Sequence, residues 1–207
     1  MEKVKQTTLV LGEGITEFFF LDSLKDEYRA LRQVKPSCPR NSSLEDLEAE
    51  IEKAIRDYNR VFCIIDMDNK HEGKDRQKYL ALKKKYHKQA LKDDKKGIDC
   101  YVQFFETDRC TELFFLYYFE YTTKKFESYD AVEKELKRFC EYEKRIKFFR
   151  SHPLHSYFKK KGGSFEKAIK HALKSKEFKE SSGSDCSFSE LGEMFTCCWG
   201  NKRQASL

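Results

Sequence analysis

The sequence predicts an α/β protein, with a mainly parallel four-stranded sheet flanked by helices and a helical extension at its C-terminal end. Two observations carry this. In the first half, short β-branched and apolar runs alternate with stretches of helical spacing, in the order β-α-β-α-β-α-β, and helical connections return the chain parallel. Beyond Asp108 no further strand-like run occurs, and the chain reads as helices. The expected division is a core over residues 1–122 and a helical extension over 123–207 packed on it.

The first strand is Thr7 to Leu11, stopped by Gly12. Ile15 to about Arg32 has helical spacing, with Phe18, Phe19, Leu21, Leu24 and Tyr28 on an apolar face. A short second strand is expected within Ala30–Lys35, ended by Pro36 and Pro39. Asn41-Ser42-Ser43 caps a helix from Leu44 to about Tyr58 whose acids crowd its first half, as the helix dipole favours. Arg60 to Ile65 is the strongest strand and ends in Asp66-Met67-Asp68. A charged helix is expected over about Gly73–Ala90, and the fourth strand over Asp99–Phe105. Helices are then expected over Cys110–Phe119, Asp130–Phe149, Phe165–Lys174 and Phe188–Phe195, with Lys176–Ser187 as a loop and a frayed tail after Trp199.

Composition narrows the function classes. The 207 residues are 39% hydrophobic and 14% aromatic, enough apolar mass for a core, so whole-chain disorder is excluded. No apolar run approaches the roughly 20 residues of a membrane helix. The N-terminus does not read as a secretory signal, so the expected location is cytoplasmic and the eight cysteines are expected as reduced thiols. The net charge of +6 is uneven: residues 1–69 hold 10 Lys+Arg and 14 Asp+Glu, a net of −4, which leaves 31 and 21, a net of +10, for residues 70–207. That division suggests an acidic functional cluster and a separate polyanion-binding surface.

The acids fall at predicted element ends. Glu13 follows the first strand, Asp66 and Asp68 close the third, and Glu112 follows the fourth. In an open parallel sheet the carboxyl ends of the strands share one edge, where functional sites gather. Asp66 comes directly after five apolar residues, and a carboxylate at the mouth of a buried strand is costly unless neutralised. A hard divalent cation neutralises it, and oxygen ligands suit magnesium or manganese. Glu17, four residues after Glu13, shares its face of the first helical turns, where like charges repel unless a cation bridges them.

Gly12-Glu13-Gly14-Ile15-Thr16-Glu17 after one strand and Asp66-Met67-Asp68 after another resemble the Toprim domain of topoisomerases, primases and OLD-type nucleases. Arg109-Cys110-Thr111-Glu112-Leu113-Phe114-Phe115-Leu116-Tyr117-Tyr118-Phe119, with Tyr142-Glu143-Lys144, is similar to motifs of the RloB-like family. The departures, at Thr111, Phe115 and Tyr118-Phe119, leave the acids intact. The resemblance implies a Toprim-like fold and a Mg²⁺- or Mn²⁺-dependent nuclease, using two ions, that acts as effector of bacterial anti-phage abortive infection beside an ABC- or AAA-type ATPase. It implies Glu13, Asp66 and Asp68 as catalytic residues, and Glu13, Glu17, Asp66, Asp68 and Glu112 as metal ligands.

A nucleic-acid substrate, DNA or RNA, also needs phosphate contacts. The candidates are Lys83, Lys84, Lys85, Lys144, Arg145, Lys147, Lys160 and Lys161, with Lys95-Lys96, Arg150 and Lys159 beside them, interleaved with Tyr86, Phe148, Phe149, Tyr157 and Phe158. His152 and His155 are weaker candidates for proton transfer. No phosphate-loop motif is present, so ATP hydrolysis would fall to a partner. The competing reading is a Toprim module that binds nucleic acid or a partner without cutting.

Overall fold

The computed structural model describes residues 7–37, 43–68, 70, 72–93 and 98–199. Pro39, the Asn41-Ser42 part of the expected cap, Lys95-Lys96 and the tail after Trp199 lie outside them. The sheet contains β1 (Thr8–Leu11), β2 (Val34–Ser37), β3 (Arg60–Asp66), β4 (Gln89–Asp93) and β5 (Ile98–Thr107), in the order β2-β1-β3-β5-β4. All neighbours pair parallel except β4, which runs antiparallel to β5.

The sheet therefore has five strands where the sequence predicts four. The added strand lies where the third connecting helix was expected to continue. That helix, α3 (Gly73–Tyr86), stops at His87, and Lys88 takes a left-handed φ of 57° that reverses the chain. The imidazole Nδ1 of His87 accepts the Phe104 N–H at 3.0 Å, and the Lys88 N–H donates to the Val102 carbonyl at 2.8 Å. Gln89-Ala90-Leu91 has little strand propensity of its own, and pairing to β5 makes it an edge strand.

Alternation along the strands gives the sheet two buried faces. Val10, Phe62, Ile64 and Phe105 face a large aromatic core completed by α1 (Ile15–Leu24), α4 (Glu112–Leu116), α5 (Tyr129–Leu136), α6 (Ile146–Ser151), α7 (Leu154–Lys160), α8 (Phe165–Ser182) and α9 (Leu191–Trp199). Leu9, Leu11, Val61, Cys63, Ile65, Val102 and Phe104 face a smaller core closed by α2 (Leu44–Ala54) and α3. Phe20 sits within 6.5 Å, ring centre to ring centre, of Phe114, Phe115, Tyr118, Phe165 and Phe195, so helices distant in sequence share one aromatic cluster with α1.

Several local expectations change. The helix expected from Ile15 to about Arg32 ends at Leu24, with a 3₁₀ turn over Arg29–Gln33, and α7 forms where no helix was expected. Pro36 lies inside β2 rather than ending it, which is tolerated because β2 is an edge strand. The helix expected over Asp130–Phe149 is two helices, α5 and α6, and the break leaves Tyr142 and Lys144 on an irregular segment. The loop expected over Lys176–Ser187 is helical as far as Ser182. Its Lys and Glu residues suit a helix, and Gly183, at a left-handed φ of 63°, ends it.

Candidate functional site

The Gly12-Glu13-Gly14 turn carries the chain from β1 into α1. Gly12 is required by a close approach: a Cβ there would lie 2.4 Å from Glu17 Cβ. Glu17 packs over it, 3% exposed, and its Oε2 accepts the Gly14 N–H at 2.8 Å, closing the helix start. Asp66 is the last residue of β3, opposite Thr107, and its Oδ1 accepts the Thr111 hydroxyl at 3.2 Å. Arg109, at a left-handed φ of 73°, turns the chain out of β5 so that Glu112 opens α4.

Glu112 is fully buried. Its Oε1 accepts the Tyr142 hydroxyl at 2.9 Å and the Thr16 hydroxyl at 3.5 Å, and lies 3.3 Å from Lys144 Nζ. Its Oε2 is buried and has no hydrogen-bond partner among the described residues. Such an oxygen is costly unless a cation or donor is supplied to it.

The charges act on one another across the cluster. Burial pushes the Asp66 carboxyl well above its usual range, and Glu17, Glu13 and Glu112 add to the rise. Burial likewise raises Glu17, with Glu112 adding to it against the Thr111 hydrogen bond. Glu13 is pushed up to about 6 by burial, against the pull of Lys70. Burial, with mutual repulsion added to it, favours the neutral forms of these carboxylates unless positive charge is supplied to them.

Glu13, Asp66 and Asp68 open onto a cleft of about 400 Å³, whose walls also include Ser43, Glu45, Lys70, Asp75 and Lys78. Asp68 is exposed, unlike the other four expected acids, which are buried or half-buried. The Ser43 hydroxyl caps α2 by accepting the Asp46 N–H at 3.0 Å.

Lys70 was missed by sequence reasoning. It is 8% exposed, and its ammonium lies 2.9 Å and 3.1 Å from the two Glu13 carboxylate oxygens and 2.7 Å from the Asp66 carbonyl oxygen. A lysine four residues after Asp66 was the available signal. It carried no weight because nothing in the local pattern shows that the turn folds back over Glu13.

By donor chemistry the set suits a hard divalent cation: carboxylate oxygens with raised proton affinity and two buried oxygens, Glu13 Oε1 and Glu112 Oε2, without a hydrogen-bond partner among the described residues. Among the described residues no three of these side chains stand together in ligating geometry. The ammonium groups of Lys70 and Lys144 supply the positive charge at the two ends of the cluster.

The predicted basic residues do not share one surface. Lys83, Lys84 and Lys85 lie on α3, over the smaller core. Lys83 pairs with Glu106, while Lys85 reaches Glu48 at 2.7 Å and Glu52 at 3.4 Å. Lys144, Arg145, Lys147, Lys160 and Lys161 lie on the side of the larger core and are exposed. Of these, Lys144 turns inward to Glu112.

The two histidines are separate from the acids. His155 is buried and tied to Glu27 at 3.1 Å, to the Tyr118 hydroxyl at 3.2 Å and, through its N–H, to Ser23 at 3.0 Å, so it joins α7 to α1. His152 stacks on Phe148 at 4.4 Å. The seven cysteines among the described residues are free thiols. No helix among the described residues is long and apolar enough to cross a membrane.

The sequence model of the RloB-like protein family matches residues 8–197. No curated protein and no solved structure gives a match.

Proposed function

The chain belongs to the RloB-like family, and from that premise we propose that it is a Toprim-like, Mg²⁺- or Mn²⁺-dependent phosphodiesterase cutting nucleic acid as the effector of an anti-phage defence system. The observation that carries the reading is the meeting of Glu13, Glu17, Asp66 and Glu112, from three separate stretches, at the carboxyl edge of the parallel strands with a buried Glu112 oxygen unsatisfied.

Glu17, Asp66, Asp68 and Glu112 are the residues that would hold the cation, with Glu13 joining them at the mouth. Bound there, a divalent ion supplies charge for the attacking and leaving oxygens of a phosphodiester. The protein's own groups do the rest. Glu13, open to the cleft, is placed to take a proton from an attacking water when it is not itself a ligand. The Thr111 hydroxyl and the Gly14 N–H fix Asp66 and Glu17, and the Tyr142 hydroxyl fixes Glu112. Lys78, on the cleft wall and paired with the exposed Glu45 at 2.7 Å, would meet a substrate phosphate by exchanging that partner.

The test is cleavage of single-stranded DNA, duplex DNA and RNA, with and without Mg²⁺, alone and with an ATPase encoded beside the gene. Metal-dependent cleavage lost in Glu13→Gln is expected. Cleavage retained in that variant would displace Glu13 from the chemistry. A second reading, a module that binds nucleic acid or a partner without cutting, draws on Lys70 and Lys144, which already supply charge to the acids. It predicts a salt-sensitive gel shift with no metal-dependent cutting.

A further inference from the structure

We infer that Lys70 is a built-in cation for the Glu13 end of the carboxylate cluster, and that a divalent ion gains Glu13 as a ligand only by displacing it. The inference rests on the metal-centre reading above and concerns how that centre is loaded.

Three oxygens surround the ammonium: both carboxylate oxygens of Glu13, at 2.9 and 3.1 Å, and the Asp66 carbonyl, at 2.7 Å. Glu13 Oε1 is buried and, although 2.9 Å from Nζ, is not aligned for a hydrogen bond. The ammonium thus donates to Glu13 Oε2 and the Asp66 carbonyl and neutralises Glu13 Oε1 by proximity alone, holding the place where a metal ion would meet that carboxylate. Lys70 Nζ and a cation coordinated by Glu13 cannot share this position, because like charges a few ångströms apart in a partly buried site repel strongly.

Both the placement and the chemistry suit exchange. The Lys70 N–H bonds the Met67 carbonyl at 3.2 Å, so its backbone is anchored on the turn that carries Asp68. Its four-carbon stem can swing into the cleft without moving that anchor, because the cleft borders Lys70 itself. Lys144, the ammonium beside Glu112, is not among the residues that border this cleft, so the exchange concerns the Glu13 end of the cluster.

Calorimetric titration with Mn²⁺ alone tests this on the full chain. The set is wild type, Lys70→Met, Lys70→Gln, which keeps a donor for the Asp66 carbonyl, and the double variant Glu13→Gln/Lys70→Met. Removing the competing ammonium is expected to tighten Mn²⁺ binding about tenfold or more in both single variants, the scale of one charged hydrogen bond, and the double variant is expected to lose that gain. Binding only in the Lys70 variants supports the inference equally. Affinity unchanged or weaker in both single variants, with wild type binding Mn²⁺, makes Lys70 a structural tie and leaves the metal centre standing. No binding by any of the four proteins overturns both.

Discussion

The two ends of the carboxylate cluster are built differently. At the front, Glu13 and Asp68 stand at an open cleft, and the charge partner, Lys70, is held by the Glu13 carboxylate and by the Asp66 carbonyl four residues before it. At the back, Glu112 is fully buried, and its partners come from two distant parts of the chain, Thr16 on α1 and Tyr142 with Lys144 on the segment between α5 and α6. Asp66 lies between them, raised by Glu17 and Glu112 from one side and by Glu13 from the other. The difference teaches a division of work: the back fixes a charge deficit into the fold, and the front is where that deficit meets solvent, substrate and exchangeable cations.

The sharpest way to break this comparison is Glu112→Gln. If the back is what makes the site demand a cation, this variant loses on the order of 100-fold or more in metal-dependent cleavage, the scale for removal of a charge-stabilising group. Without metal it melts no lower than wild type, because a neutral amide relieves the repulsion on Glu17 and Asp66. A lowered melting temperature in metal-free buffer would show Glu112 to be a structural acid.

Gly12→Ala probes the joint between the ends. Its Cβ would collide with Glu17 Cβ, so the variant is expected to lose about 1–3 kcal/mol in denaturant unfolding, the usual cost of overpacking. A change within experimental error would mean that the turn yields freely. Lys144→Met removes the charge partner of a buried carboxylate. Because Lys144 is 41% exposed, solvent screens the pair, and the expected loss is only about 1 kcal/mol, smaller still in saturating Mg²⁺. An undiminished loss with the metal present would separate Lys144 from the site's charge balance.

The smallest effect concerns the surface. Lys147→Ala with Arg150→Ala is expected to weaken nucleic-acid binding modestly and reduce its salt dependence by about two phosphate contacts, leaving melting unchanged. An unaltered salt slope would move the nucleic-acid surface elsewhere, Lys83–Lys85 across the sheet being the alternative.

How much was legible in the sequence follows the same division. The front is local: a strand, a Gly-Glu-Gly turn and an Asp-x-Asp at the end of an apolar run declare themselves through spacing. The parallel strands β1, β3 and β5 were legible for the same reason, since five or so apolar residues bounded by glycine or acid have few other uses. The back is tertiary. Tyr142 and Lys144 belong to a stretch whose periodicity reads as continuous helix, whereas the fold breaks it there and brings the Tyr142 hydroxyl to Glu112. β4 was hidden similarly, because its strand character comes from β5 and from the reversal at Lys88, not from its own residues. Lys70 was visible as a residue but not as a neighbour of Glu13.

The most direct test of the central claim is the Mg²⁺ dependence of nucleic-acid cleavage by wild type and Asp66→Asn, prepared in parallel and matched by melting temperature. Besides burial, the charges of Glu17, Glu13 and Glu112 all act on Asp66. The expected result is cleavage that appears with Mg²⁺, disappears with chelator and is absent from Asp66→Asn. Equal cleavage by the folded variant, or cleavage by wild type that survives chelation, would contradict the account.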